Sequence, residues 1–231
     1  MLNFKNNALT LQRRRQLLRA ASALCVAGLA PALATAAAYE DFFKAARFDD
    51  AKQLQSLLQR GMDPNTIEPT RGETGMMVAL REKAMKAFNT LLNARGVNLE
   101  IRARNGDTAL MIAAYTGNKP AVQALLAHEA EVNQTGWTAL HYAATVGNNE
   151  IVQLLLDHHA YIDAESPNKT TPIMMAARGG HILTVKLLLD EGADATLKNE
   201  LGMTAIDFAR NHGKPDIVDG LTYRLKKAGK L

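Results

Sequence analysis

The 231-residue sequence has very little cysteine: Cys25 is the only one, and none follows it. Cys25 lies in an N-terminal segment that we expect to be removed from the mature protein. A chain without cysteine forms no disulfide bond, holds no thiolate-ligated metal and has no cysteine nucleophile. The mature protein must therefore be held together by packing alone.

Acidic residues are absent from the first 38 positions, which carry five basic residues: Lys5, Arg13, Arg14, Arg15 and Arg19. The whole chain has 27 basic and 23 acidic residues, so 22 basic and 23 acidic residues remain beyond position 38, a net charge of −1. Strong binding to a phosphate backbone needs a basic face on the folded domain. The remaining charge does not support one, and we expect no nucleic-acid partner.

The apolar run from Ala20 to Ala30 is too short to cross a bilayer, which takes about 20 residues. It follows a cluster of arginines and precedes small residues, the order typical of a bacterial secretory signal. Small residues at the last and third-last positions favour cleavage after Ala36 or Ala38. We therefore expect residues 1–38 to be a cleavable signal peptide, and the product to lie in the periplasm without a stable membrane anchor.

Two export routes fit this segment. The run RRQLLR at 14–19 resembles the twin-arginine motif, and a mildly hydrophobic, Ala-rich core suits that route. The alternative is an ordinary Sec signal that is rich in arginine. The sequence leaves the route open.

One unit is repeated through the rest of the chain. Each clear copy begins at a threonine, and a glycine follows nine residues later. The segments are TALMIAAYTGN, TALHYAATVGN, TPIMMAARGGH and TAIDFARNHGK, beginning at Thr108, Thr138, Thr171 and Thr204. Degenerate copies begin at Thr74 and near Glu40. The intervals from Thr74 to Thr204 are 34, 30, 33 and 33 residues.

This pattern predicts a pair of helices per copy. The threonine hydroxyl caps the free backbone N–H groups of a short first helix, and a glycine-containing turn leads to a second helix with a leucine face. In the best copies a left-handed glycine ends the second helix, at Gly61, Gly96 and Gly192. One helix pair cannot bury its apolar face, so each pair must stack on its neighbours. We expect an all-α solenoid of about six stacked helix pairs.

The repeat resembles the ankyrin-repeat family, whose pattern is roughly G-x-T-P-L-H-x-A-A-x-x-G-H, a Leu-rich helix and G-A-D-x-N. The closest matches are GWTALHYAA at 136–144 and GAD at 192–194. The resemblance covers residues 40–225 and implies short β-hairpin fingers between units. We place the ankyrin-repeat domain at 39–231, with units near 40–70, 71–103, 104–134, 135–167, 168–200 and 201–231.

Some positions depart from the family pattern. Glu129 and His159 replace the glycine that ends the second helix, and a left-handed non-glycine residue costs roughly 1 kcal/mol. The chain between Asn133 and Thr138 is three residues shorter than the corresponding fingers. We therefore expect a stunted finger there.

No catalytic motif appears: the sequence has no G-x-S-x-G, Walker loop, H-E-x-x-H or dinucleotide fingerprint. His128 and His158 are equivalent residues of stacked units, about 10 Å apart and too distant to share one ion at ~2.1 Å per ligand. The resemblance makes His141 a structural hydrogen-bonding residue. The methionines fall on first-helix core positions, with a soft partner-binding face as the alternative; they are Met76, Met77, Met111, Met174 and Met175. We expect no catalytic residue, cofactor or metal site.

The family binds partners on a concave face made of fingers and first helices. Five residues per unit face it: the fourth, third and first before the threonine, and the seventh and eighth after it. We call these the groove positions. They predict partner contacts by Arg104, Asn105, Asp107, Tyr115, Thr116, Trp137, Thr145, Thr170, Arg178 and Met203.

The resemblance thus implies a non-enzymatic, monomeric module that binds another protein on this face. Tryptophan, tyrosine and arginine dominate interface energetics, and Trp137 is the expected anchor, with packing along its finger as the alternative. The alternative function is an enzyme, or a dedicated enzyme subunit, that binds a small substrate in the groove. A closed pocket with convergent titratable groups would favour that alternative.

Overall fold

A computed structural model of the protein describes residues 36–231. The expected signal peptide, residues 1–38, lies outside the described residues except for its last three positions. The described residues divide into two units, residues 36–44 and residues 45–231. In the first unit the described residues are helical, and the Phe42 and Phe43 rings meet edge to face with centroids 5.3 Å apart.

The described residues form twelve helices, which follow one another as six pairs, as the repeat predicts. The first helix, α1, covers residues 36–47. The others are α2 (Ala51–Gln59), α3 (Gly75–Arg81), α4 (Met85–Leu92), α5 (Ala109–Tyr115), α6 (Lys119–Ala127), α7 (Ala139–Val146), α8 (Asn149–Asp157), α9 (Pro172–Gly179), α10 (Ile182–Asp190), α11 (Ala205–Asn211) and α12 (Pro215–Lys227). The predicted all-α class is confirmed.

The repeated threonines begin the first helices, as predicted. Thr74, Thr108, Thr138 and Thr204 each accept a hydrogen bond from the backbone N–H three residues on, at 3.3 to 3.4 Å. This satisfies one of the four N–H groups that every helix start leaves free. Thr171 also precedes a helix, but its buried hydroxyl has no hydrogen-bond partner among the described residues.

Most of the second helices end in left-handed residues, as predicted. Gly61 and Gly192 follow the ends of α2 and α10 with φ of 93° and 100°. Gly96 is also left-handed, with φ of 78°, but α4 already ends at Leu92, so the prediction that Gly96 ends this helix is wrong. Glu129 and His159, which replace glycine, have φ of 62° each. Glu129 and His159 therefore carry backbone strain that a glycine would avoid.

Small and flexible side chains form the core between first helices. The alanine pairs of α5, α7 and α9 are completely buried, and so are the methionines at the matching core positions of α3, α5 and α9. Alanine lets neighbouring helices approach closely, and methionine fills the irregular gaps that remain. The core interpretation of the methionines is confirmed.

Polar side chains tie successive units together outside the core. The Asn65 amide donates to the Gly96 carbonyl at 2.8 Å and accepts from the Asn98 N–H at 2.7 Å. Asn133 repeats this arrangement on His159 and Tyr161, at 2.8 Å for both bonds. Because these bonds join each unit to a backbone group of the next, they fix the stacking register.

The fingers are hairpin-shaped turns rather than extended ladders. Single backbone bonds close them at Ala103 to Asp107, Ser166 to Thr170 and Asn199 to Met203, at 2.9 to 3.0 Å. A single antiparallel bridge joins Ile67 to Thr74. In the part of the chain that the structure describes, no such bond closes the turn between 133 and 138, which fits the predicted stunted finger.

Candidate protein-binding groove

The groove positions differ in accessibility. The side chains of Arg104, Asn105, Tyr115 and Arg178 are exposed, and those of Thr116, Trp137, Thr145 and Met203 are half-buried. Asp107 and Thr170 are buried, with exposed fractions of 6% and 2%. Eight of the ten predicted contact residues can therefore meet a partner as the structure stands.

Thr170 and Asp107 require a correction, because neither is accessible. The Thr170 carbonyl accepts a hydrogen bond from the His141 ring at 2.8 Å, and its N–H donates to the Ser166 hydroxyl at 3.0 Å. The Asp107 carboxylate is bonded to several groups of neighbouring units. Both residues position the surface rather than form it.

Asp107 belongs to a buried network of charges. The Arg81 guanidinium lies 2.5 Å from a Glu73 carboxylate oxygen and 3.5 Å from Asp107. The Asn105 amide donates to Asp107 at 2.7 Å, and the Tyr142 hydroxyl donates to it at 2.5 Å. Buried carboxylates are tolerated only when they are paired and hydrogen-bonded, as both are here. The network joins three consecutive first helices.

Tyr142 links this network to the exposed surface. Its ring meets Tyr115 edge to face, with centroids 5.8 Å apart. Burial first, and then the hydrogen bond to the Asp107 carboxylate, raise the pKa of Tyr142 well above its ordinary value. The hydroxyl therefore stays protonated at physiological pH and donates its hydrogen bond to Asp107. The Tyr142 ring in turn packs against the exposed Tyr115 ring.

Trp137 packs against a residue of the helix that begins just after it. Its ring meets the His141 imidazole edge to face, with centroids 5.2 Å apart. His141 is fully buried, and its Nδ1 accepts from the Thr138 N–H at 3.2 Å while its Nε2 donates to the Thr170 carbonyl. Burial lowers the pKa of His141 to about 4. The imidazole is thus neutral and structural, as predicted, and it gives the half-buried Trp137 a fixed support.

Other histidines also have structural roles. His128 and His158 each bond the carbonyl four residues earlier on their own helix, at 2.9 and 2.8 Å. His181 lies 2.9 Å from the Thr145 carbonyl. Its ring occupies the space above Gly147, where an added Cβ would lie 2.4 Å from it, so this close approach requires glycine. Among residues 36–231, no three metal-ligating side chains converge, and no helix is both long and apolar enough to span a membrane.

A cleft lies beside the groove positions of the second unit, which the sequence reasoning missed. Counting from Thr74 gives the five positions Thr70, Arg71, Glu73, Arg81 and Glu82, and all five line two adjoining cavities of about 280 and 440 Å³. The larger cavity is also lined by Arg104 and Asn105 of the next unit. Counting from Thr74 as from the other threonines would have identified these residues in the sequence. The copy at Thr74 was passed over because it lacks the mid-unit glycine that marks the others.

The Glu68 carboxylate fixes the finger above this cleft. It accepts hydrogen bonds from the backbone N–H groups of Thr70 at 2.7 Å, Arg71 at 2.5 Å and Glu73 at 3.3 Å. Desolvation raises the pKa of Glu68, but these backbone bonds outweigh it and hold the pKa below its ordinary value. These bonds hold the finger in its turn through the side chain of one of its own residues.

Stacked helix pairs with capped first helices and side chains presented from turns define an α-helical repeat protein with an extended binding surface. The family described as "Ankyrin repeats (3 copies)" matches residues 76–166 and 160–228. The chain belongs to the ankyrin-repeat family, as its sequence resemblance predicted.

The chain is also similar in sequence to several larger proteins. The chain is 32% identical over 178 residues to human "SH3 and multiple ankyrin repeat domains protein 2", covering 75% of this chain and 10% of that protein. It is 29% identical over 153 residues to human "Transient receptor potential cation channel subfamily A member 1", covering 62% and 14%. It is 30% identical over 178 residues to mouse "B-cell lymphoma 3 protein homolog", covering 74% and 40%. The chain thus spans less than half the length of each.

Proposed function

We propose that the protein is a non-enzymatic, monomeric binding module of the periplasm, which docks another protein on the concave face formed by its groove positions. Ankyrin repeats are protein–protein interaction modules, and the family matches this chain from residue 76 to residue 228. The periplasmic location rests on the N-terminal segment alone, with its arginine cluster, short apolar run and small-residue cleavage site.

The observation that carries the proposal is the set of side chains at the accessible groove positions. Arg104, Tyr115 and Arg178 are exposed, and Trp137 is half-buried on a fixed support. Tryptophan, tyrosine and arginine are the residue types most often found at energetic centres of interfaces. These residue types occur at the groove positions of three units, which favours a surface that binds a partner over one that contacts only water.

Rigidity of the surface also supports protein binding. The fingers are closed by backbone bonds, and the Asn65 and Asn133 amides lock successive units in register. A surface that is ordered before binding loses little conformational entropy on association. A standard interface buries about 800 Å² per partner, which three or four units can supply.

The test begins with affinity capture from a periplasmic extract, followed by binding measurements on the captured partner. We expect Trp137→Ala to weaken binding by at least ~2 kcal/mol, about thirtyfold, because it removes an anchor that rests on His141. Tyr115→Ala should weaken binding in the same direction. Circular dichroism checks that both variants are folded.

The matched control is Tyr161→Ala. Tyr161 is 69% exposed but is not at a groove position, so its removal should leave the affinity unchanged. Equal affinities for folded Trp137→Ala, Tyr115→Ala and Tyr161→Ala proteins would place the partner on another face.

A further inference from the structure

Two arginines, Arg71 and Arg104, lie at neighbouring finger tips. The Arg104 N–H donates to the Arg71 carbonyl at 2.8 Å, so the two tips are joined through their backbones. Between them Gly72 has φ of 67°, and an added Cβ there would lie 3.0 Å from Arg104 Cγ. Glycine thus leaves room for the Arg104 stem to lie across the preceding finger, which limits the freedom of that side chain.

These two guanidinium groups are not neutralised within the protein. Arg81, beside them, is paired with both Glu73 and Asp107. Within residues 36–231, neither Arg71 nor Arg104 forms an ion pair with a carboxylate. Both side chains are exposed and line the same cleft of about 440 Å³.

The charges around the cleft favour a singly charged ligand. Three guanidinium groups, of Arg71, Arg81 and Arg104, line it. Three carboxylates lie nearby: Glu73 and Asp107 pair with Arg81, and Glu68 accepts hydrogen bonds from the backbone N–H groups of Thr70 and Arg71. A carboxylate would meet less repulsion from these acidic groups than a phosphate dianion, and it can still reach the two unpaired guanidinium groups. The planar fork of a guanidinium also matches a carboxylate, to which it donates two parallel hydrogen bonds.

We propose that the cleft binds a side-chain carboxylate of an acidic segment of the partner protein, held between Arg71 and Arg104. This inference rests on the proposed function, since it names the chemistry of the partner that the groove receives. Arg81 also lines the cleft but is already paired with Glu73 and Asp107. Thr70 and Asn105 add further polar groups to the lining.

The experiment selects binders for the full chain from a random dodecapeptide library and compares the wild type with the double variant Arg71→Gln/Arg104→Gln. We expect wild-type binders to be enriched in Asp and Glu, and the double variant to lose that enrichment. For a selected acidic peptide, fluorescence anisotropy should show at least about a tenfold loss of affinity in the double variant, because charge-assisted hydrogen bonds are the strong ones. Replacing the peptide's acidic residues by their amides should produce the same loss.

The matched control is Arg95→Gln, which removes an exposed arginine from a turn outside the cleft. It should bind the acidic peptide as the wild type does, with the same salt dependence. A loss equal to that of the double variant would show a diffuse charge effect and overturn the proposed site.

Two further arms separate this inference from the proposed function. Binders without acidic enrichment that still depend on Trp137 would overturn the carboxylate site but leave the groove as the binding surface. No selected binder at all would count against both. Tighter binding of matched phosphoserine peptides, or of vesicles of anionic phospholipid, would assign the cleft to phosphate and overturn the carboxylate.

Discussion

The imidazole of His141 in one repeat donates a hydrogen bond to the Thr170 carbonyl at the start of the next, with 2.8 Å between nitrogen and oxygen. Its other nitrogen accepts from the Thr138 N–H that precedes its own helix. A neutral ring can do both, but a protonated ring cannot accept a hydrogen bond. Protonation would keep the bond to Thr170 but remove the acceptor for the Thr138 N–H, so the start of α7 depends on the protonation state of one buried side chain.

This arrangement predicts a stability loss in mild acid. Burial lowers the pKa of His141 from 6.5 to about 4, so the unfolded chain binds more protons than the folded protein between these values. The contribution of neutral His141 to the free energy of unfolding is fully present above pH 6.5 and is lost as the pH falls towards 4. A difference of this size in pKa corresponds to about 3 kcal/mol.

Denaturant unfolding at pH 7 and at pH 4.5 checks this expectation. His141→Gln should be less stable than the wild type at pH 7 but should lose less free energy of unfolding between the two pH values. The carboxylates are common to both proteins, so their titration cancels in the comparison. An equal loss in both proteins would show that His141 is not the group responsible.

Two adjacent histidines should respond in opposite ways to glycine. His159 is left-handed with φ of 62°, so His159→Gly should raise the free energy of unfolding by about 0.5–1 kcal/mol. His158 has φ of −99°, and its ring bonds the Leu154 carbonyl at 2.8 Å. His158→Gly should therefore lower stability. Denaturant midpoints of the two variants check this, and a lower midpoint for His159→Gly would contradict it.

The buried network predicts a large effect at Arg81. Arg81→Met should lower the free energy of unfolding by about 3 kcal/mol, because the buried Glu73 and Asp107 carboxylates then lose their counterion. Adding Glu73→Gln to that variant should restore part of the loss, since one buried charge is removed.

The control for Arg81 is the exposed pair of Arg210 and Asp207, at 2.8 Å. Arg210→Met should cost less than about 1 kcal/mol, as surface ion pairs do. Thermal or denaturant unfolding measures both variants. Comparable losses at Arg81 and Arg210 would show that the network contributes no more than a surface pair.

The N-terminal segment fits two export routes, and its paired arginines allow an experiment to decide between them. Changing Arg14 and Arg15 together to Lys should block twin-arginine transport and spare Sec transport. Cell fractionation follows the processed protein. Retention of the precursor in the cytoplasm would assign the twin-arginine route, unaffected export would assign Sec, and an unprocessed wild-type protein in the cytoplasm would contradict export altogether.

The fold could be predicted from sequence because each unit repeats its own local signals. The threonine caps, the mid-unit glycines and even the left-handed strain at His159 are encoded within one copy. The register also located exposed residues such as Arg104 and Tyr115. These features depend on residues that are close in sequence, so periodicity was sufficient.

Two residues that the repeat pattern predicted to be accessible are instead buried by contacts between units. Asp107 and Thr170 occupy the same register position as Trp137, yet they are buried because Tyr142 and His141 of neighbouring helices reach them. The Arg81 network likewise joins residues from three units. Side-chain pairing across such distances leaves no periodic signal in a single sequence.

The central claim is that a partner protein covers the groove positions, and hydroxyl-radical footprinting of the complex tests it most directly. Oxidation reports the solvent access of individual side chains, and Tyr115, Trp137 and Met203 are reactive residues at groove positions of three different units. The account predicts that partner binding slows oxidation of these three, while the exposed Tyr161 and Tyr223, outside the groove positions, react as in the free protein. Protection of Tyr161 and Tyr223 with unchanged oxidation of Tyr115, Trp137 and Met203 would contradict it.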